Sequence, residues 1–488
     1  MDLIQRNVEK VAEFLKPQME FLNCHMVDYL TKDYWNAYVP QNIRDELKSI
    51  EDLREAKSAF WNQFDAKVFP NMKFSSLKKH ILNTRDYQLE SLPHAFLGLE
   101  DLKEAFDSCL KETRLQIPEL MNVKKRHEVE SAASIVASLC QVISRKYSEG
   151  KSPEEVMVID AGDGKGYLSS RVALEHGIRV LGIDCNEGNT INAEKRREKL
   201  KKKVGKAIKK AELSDDDYFN DLLQNQGSSD PNYKTTTKLI GFDTNLIELV
   251  KEKFPNSTAN KFCLAGLHTC GNLGPNCVRI FHQNPHVKSL FNVGCCYHLL
   301  VEEFVVDKYY NPERLNDNPG YGFPMSRVLK QNKFFIGRNA RNLAAESIER
   351  VCANQEEPSD KLGYRALLQI VLQQHLGLDS ADQQQQVGKL KKCTDFVDYC
   401  RKSLTRLKID HSQLDDAFLR DLEVRYQLQL EQLKIFYLYR MTFAPVIEGL
   451  ILLDRLLFLK ECGYEYSYLV KLFDPVVSPR CFSIVAFK

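Results

Sequence analysis

Between Val156 and Asp184 the apolar residues fall into two short blocks, Val156 to Ile159 and Arg179 to Ile183, separated by a helix-length segment beginning near Tyr167. The first block is β-branched and shows no polar alternation, which predicts a parallel strand buried on both faces. It ends at Asp160. Gly162, Gly164 and Gly166 follow at every second position, where missing side chains let the main chain turn sharply and lie against a ligand. A helix starting there would aim its first peptide N–H groups into the turn, at the carboxyl edge of the strand. The second strand closes on Asp184.

Residues 1–115 carry helical spacing with charged faces and predict a helical N-terminal lobe, with Trp35 and Trp61 as core anchors. From Met121 to Tyr147 a one-sided apolar pattern with a cationic start at Lys124, Lys125 and Arg126 predicts a helix leading into the first strand. After Asp184 comes a lysine- and arginine-crowded helix, then the acidic SDDD and the polar QNQGSSDPN, read as a solvated insertion over about 196–234. Thr237 to Phe242 predicts the third strand, ending at Asp243, and NLIELVKEKF the helix after it. Two more strands, Phe262 to Gly266 and Leu290 to Val293, run into HTC and CCYH. As the fourth and fifth parallel strands they would flank the switch point of the sheet, whose carboxyl ends border the ligand crevice. His268, Cys270, Cys295, Cys296 and His298 are therefore expected there. Residues 327–435 form a mostly helical insertion with a glutamine run at Gln383 to Gln386. One buried helix from Leu438 to Gly463 then precedes a terminal antiparallel pair, YSYLVKLFDP and CFSIVAFK. One α/β domain over 116–488, interrupted twice, follows from this order.

Composition narrows the setting. The 488 residues allow a large core and more than one lobe, and the net charge of +2 argues against a wholesale nucleic-acid coat. The N-terminus lacks the basic, apolar, small-residue order of a signal peptide, and the fourteen cysteines are scattered, so the thiols are read as reduced and the location as cytoplasmic or nuclear. Phe443 to Leu459 is interrupted by Glu448, Asp454 and Arg455, short of a bilayer span of about 20 apolar residues; no membrane is expected.

Dinucleotide folds use GxGxxG, whereas Asp160 to Gly166 reads DxGxGxG, which resembles the first motif of class I S-adenosylmethionine-dependent methyltransferases. A glycine-rich turn that merely packs a helix would explain three glycines but not Asp160 and Asp184 together. The resemblance implies a Rossmann-like seven-stranded sheet and S-adenosyl-L-methionine as cofactor, bound by Asp160, Gly162, Asp163, Gly164, Lys165 and Gly166. Asp184 stands roughly 20 residues past the first glycine, where Rossmann-type units hold ribose hydroxyls, and Asp243 would lie near the adenine. In such enzymes the helix before the first strand borders the cleft, bringing Lys124, His127 and Glu128 toward it.

Beyond that turn, LHTCGNL, VGCCYHLL, GYGFPMS at Gly320 to Ser326, YRALLQ at Tyr364 to Gln369 and SPR at Ser478 to Arg480 resemble the methyltransferase-like protein 25 family. This family includes a protein called ribosomal RNA adenine dimethylase domain-containing. The paired HxCG and CCxH elements are more loosely similar to those of the eukaryotic tRNA acceptor-stem ribose methyltransferase. Adenine N6 methyltransferases carry an (N/D)PPY-like turn after the fourth strand; this chain has LHTCG there, so the dimethylase activity is not carried over.

Several chemistries fit these residues. Methyl transfer from a sulfonium needs alignment and exclusion of water, plus a base if the acceptor is a hydroxyl; His268 suits that role, with Lys124 or Lys125 as second candidates. Cys270 and Cys296 occupy places comparable to the paired thiols of RNA cytosine-5 methyltransferases. The HxC and CCxH groups hold donors enough for a four-coordinate zinc, but neither is the usual CxxC and no metal is expected. RNA is the first substrate choice, as a 2′-hydroxyl or a base, and protein side chains are the second. The contrasting class is a catalytically silent scaffold, which SAM binding would separate from an enzyme.

Overall fold

The computed structural model describes residues 1–106, 121–148, 155–210, 232–241, 243–306, 320–378, 387–388, 390 and 392–488. The SDDD stretch, Gln224 to Pro231, Phe242 and the Gln383–Gln386 run lie outside the described residues. Seven strands form one sheet: β1 (Val156–Ala161), β2 (Val180–Asp184), β3 (Tyr233–Thr237), β4 (Lys261–Cys270), β5 (Val287–Cys295), β6 (Ser467–Lys471) and β7 (Phe482–Phe487). Their order is β3-β2-β1-β4-β5-β7-β6. β1 to β5 are parallel, and β7 runs antiparallel to both β5 and β6.

Every residue of β1 and β2 is buried, as their unbroken apolar runs predict for central parallel strands. Because the chain winds from β1 outward to β3 and then returns to β4 beside β1, the carboxyl ends of β1 and β4 part and leave a crevice between their loops. The helix Val123–Tyr147 starts at Asn122, whose side chain accepts a hydrogen bond from the Lys125 N–H. It buries an alanine-rich face, including Ala132, Ala133, Val136 and Ala137, against β1, β4 and β5 and the helix Tyr167–His176. At the head of that second helix Gly166 takes φ +66, and a Cβ there would overlap the Tyr233 hydroxyl, so only glycine serves.

Three expectations need correction. The third strand is Tyr233–Thr237, not Thr237 to Phe242: Tyr233 is buried and pairs with Val180, whereas Leu239 is 78% exposed and Lys238 to Gly241 form a loop. The threonines of YKTTT supply the β-branching, and the apolar LIG that follows belongs to the cavity wall. Second, the buried segment near the C-terminus is two helices, Gln427–Met441 and Ala444–Glu461, broken around Thr442 and Phe443. Third, β4 and β5 run further than expected, so that His268 and Cys270 lie within β4. A bulge between Leu267 and Thr269 puts His268 at φ +68.

By packing, the chain divides into two compact units, one of Met1–Lys16, Gln88–Ala345 and Ile447–Lys488, the other of Pro17–Tyr87 and Glu346–Val446. The first contains the whole sheet. The second is helical, built from segments far apart in sequence: Phe21 packs against Phe436, Tyr439 and Phe443, and buried Lys57 pairs with Glu357 and Glu431. Trp35 lies in that core, while Trp61 is half-buried. Residues 1–106 are thus shared between the units. Among the described residues no helix is long and apolar enough to cross a membrane.

Candidate active site

A cavity of about 950 Å³ opens over the glycine turn. Asp160, Gly162, Asp163, Gly164 and Lys165 line one end, with Lys125 over the Tyr167 ring beside them, Asp184 and the loop Lys238 to Gly241 with Asp243 one side, and His268 and Cys270 the far end. Gly166 is held just beneath, its carbonyl accepting from Arg196, whose guanidinium lies 4.2 Å over the Tyr167 ring. All eight expected cofactor residues therefore fall on this cavity or directly under its floor.

The acids here divide into two kinds. Asp184 is an acceptor for its surroundings: Oδ2 takes the Gly164 N–H at 2.9 Å, and Oδ1 takes the Asn186 N–H at 2.8 Å and the Asn189 amide at 3.1 Å. A carboxylate offers about four lone-pair sites, so one remains toward the cavity. Asp160 and Asp163 are buried side by side. Ser169 Oγ lies 2.8 Å from Asp160 and 2.6 Å from Asp163, and Tyr233 donates to Asp163. Burial, then the Asp163 charge, pushes Asp160 well above the ordinary carboxylate range; burial also raises Asp163, against the Ser169 and Tyr233 hydrogen bonds. Two carboxyl groups sharing one buried, hydrogen-bonded site account for both directions.

Gly162, Gly164 and Gly166 all take positive φ, and a Cβ at Gly164 would meet nothing nearer than the Gly162 carbonyl at 3.8 Å. The main chain there faces open space. A cationic sulfonium with ribose hydroxyls fits a cavity bounded by such a turn, a spare Asp184 lone pair and an apolar loop through Leu239 and Ile240.

At the far end a chain of polar contacts crosses the carboxyl ends of β4 and β5. Glu128, fully buried, accepts from Ser478 at 2.7 Å and lies 3.0 Å from His268 Nε2. Cys295 is the other electrostatic neighbour of His268. Burial opposes charge on His268, but Cys295 and Glu128 prevail and raise its pKa. Cys295 is drawn down to about 3, first by the hydrogen bond from Cys270, then by His268, against burial, while Cys270 is pushed up by its bond to Cys295 and by burial. Lys124 lies 3.7 Å from Glu128 on the same helix; it is the neighbouring Lys125 that reaches the cavity wall. His127 accepts the Asp474 N–H instead. His298 sits in the short turn Tyr297–Leu299, outside the cavity lining and the thiol cluster among the described residues, its carbonyl accepting from Arg341.

The residues that sequence reasoning missed are Ser169, Tyr233 and Ser478. Ser169 was within reach, since it stands in the first turn after the glycines; Tyr233 and Ser478 are 70 and 350 residues from their partners.

The Glu128 charge carries a pH prediction. Burial would raise this carboxyl, but the hydrogen bond and charge of His268, with Ser478 and Lys124, hold it down at about 2. An unfolded glutamate titrates near 4.3, so the folded state gains from this ionisation above that pH and loses the gain as pH falls through about 2, a contribution of up to about 3 kcal/mol. Glu128→Gln should therefore be less stable than the parent at pH 6, with the gap closing between about pH 4.5 and 2. Melting curves of the two proteins that stay parallel across that range would refute the pairing.

A family model described as a methyltransferase domain matches residues 124–303, which span the helix Val123–Tyr147 through β5 and the thiol loop. Two curated relatives cover nearly the entire chain. The human "Probable methyltransferase-like protein 25" is 31% identical over 99% of this chain and 97% of its own length, and the mouse protein of the same name 29% identical over 99% and 96%. No solved structure matches. With the sheet order and the glycine turn, these matches establish a class I methyltransferase fold, and the chain belongs to the methyltransferase-like protein 25 family.

Proposed function

We propose that the cavity binds S-adenosylmethionine and that the chain transfers its methyl group to RNA. The observation that carries this reading is a single cavity joining the glycine turn and Asp184 to His268 and Cys270. When bound, S-adenosylmethionine supplies an electrophilic methyl on a sulfonium leaving group. The protein's part is then alignment and exclusion of water. The turn Gly162 to Gly166 and Asp184 hold the nucleoside end, and the loop Lys238 to Gly241 covers it. His268, 3.0 Å from Glu128, stands at the acceptor end of the cavity; its raised pKa favours the imidazolium, so it serves as base for an acceptor hydroxyl only from the neutral form, which gains population as pH rises.

RNA is favoured by cations around the opening, Lys125, Lys165 and Lys238, and by the basic helix Glu187–Lys210 beside β2 and β3. These would attract phosphates in a salt-dependent way. A cytoplasmic or nuclear location agrees with free thiols on every described cysteine. Calorimetric titration with SAM tests the first step, and absence of both heat and thermal shift would favour a silent scaffold. A tritium-transfer assay on lysate lacking the protein, separated into RNA, protein and small-molecule fractions, tests the second: label in protein alone would replace RNA with a side-chain acceptor.

A further inference from the structure

One cluster does more than methyl transfer asks of it. At the ends of β4 and β5, Cys270 Sγ lies 3.4 Å from Cys296 Sγ, and Cys295 Sγ lies 3.5 Å from Cys296 Sγ. All three sulfurs fall within 4.8 Å of one another. A disulfide would require about 2.05 Å, so these are separate thiols. Ligands at about 2.3 Å from a tetrahedral zinc stand about 3.8 Å apart, and the three sulfurs already have nearly that spacing.

The backbone is shaped to bring them together. Successive side chains on a strand point to opposite faces, so adjacent Cys295 and Cys296 would normally diverge. Cys296 leaves the strand at φ +49, a left-handed conformation uncommon for a side chain other than glycine or asparagine, and this turns its sulfur back beside Cys295. Gly271, at φ +53, donates its N–H to the Cys295 carbonyl at 3.1 Å and so ties the Cys270 loop to the same point. Behind the cluster, Ser478, Glu128 and His268 form a hydrogen-bonded series. Carboxylate-backed imidazoles of this kind surround metal sites and orient their ligands.

We propose that Cys270, Cys295 and Cys296 hold a zinc ion through three thiolates. Its fourth position is open on the exposed Cys270 side, toward the cavity, and is taken by water. Loading releases the remaining thiol protons to solvent and needs no oxidant. Three protein ligands and one open position is the pattern of zinc sites that act on a ligand, and soft thiolate donors select zinc over magnesium or calcium. The inference is independent of whether the cavity takes SAM.

The test uses the full chain, purified without metal-chelating resin. Elemental analysis should find about one equivalent of zinc, falling roughly tenfold or more in Cys296→Ser. Because a variant can lose metal by misfolding, the parent protein is also stripped with chelator and given cobalt(II) alone. A thiolate-to-cobalt charge-transfer band should appear, weaker in Cys270→Ser and Cys295→Ser. Less than about a tenth of an equivalent of zinc, together with no such band, overturns the proposal. A SAM titration of the stripped protein keeps the two readings apart, since donor binding without any metal affinity would leave the proposed function standing and remove the zinc alone.

Discussion

Gly164→Arg should fold and yet bind S-adenosylmethionine at least about 100-fold more weakly, a loss of roughly 2.7 kcal/mol. The position allows these effects to separate. At φ +59 any side chain is strained by about 1 kcal/mol, but a Cβ there has no neighbour closer than 3.8 Å, so the fold has little else to lose. The arginine has one direction to extend, into the cavity, where it would occupy the donor's place and set a cation against a sulfonium. Gly166→Val is the matched control. Its Cβ would overlap the Tyr233 hydroxyl that donates to Asp163, so that variant should melt early instead. Calorimetry and thermal melting on both read the contrast, and full affinity in Gly164→Arg would place the donor elsewhere.

The largest stability loss is expected at Arg341→Ala, by about 3 to 5 kcal/mol. Arg341 and Glu302 are both fully buried, 3.1 Å apart. The arginine donates to the carbonyls of Tyr297, His298 and Leu300, directly after the thiol loop, while Glu302 accepts the N–H groups of Ile336 and Gly337. Truncation takes the counter-charge from a buried carboxylate, leaving it the two N–H donors, and removes the donor from three carbonyls at once. Arg341→Lys keeps the charge but cannot reach three carbonyls and the acid from one fork, so it should recover only part of the loss. Denaturant unfolding followed by a probe in the sheet-bearing unit would show the shift, and a midpoint within experimental error of the parent would mean that solvent reaches this pair.

What the linear chain reveals here follows the distance over which each feature is decided. The turn from Asp160 to Gly166 is local: strand, glycines and helix are contiguous, and the three positive φ values fall where the glycines stand. The thiols at the ends of β4 and β5 could be brought together on paper because parallel strands of a doubly wound sheet must end on the same side. Tyr233 could not be found that way. Its strand is short and threonine-rich, and its partner is Asp163, held across the sheet. The same holds for Ser326, whose N–H and hydroxyl both donate to buried Asp454, and for Arg480, which binds Glu448. GYGFPMS and SPR were visible as blocks of resemblance; that they anchor side chains more than a hundred residues away or, for Arg480, a separate helix, is information only the packed chain contains. The helical unit is the extreme case, since Phe21 and Phe436 meet without any shared periodicity to announce it.

The placement of β7 between β5 and β6 makes late truncation a severe lesion. A product stopped before Phe482 would lack the middle of three neighbouring strands: β5 would keep a bare row of peptide groups, and β6 would have no partner in the sheet. Such an edge invites pairing with other chains. A premature stop codon between β6 and β7 is thus expected to yield an aggregating polypeptide for the quality-control machinery, and not a working enzyme.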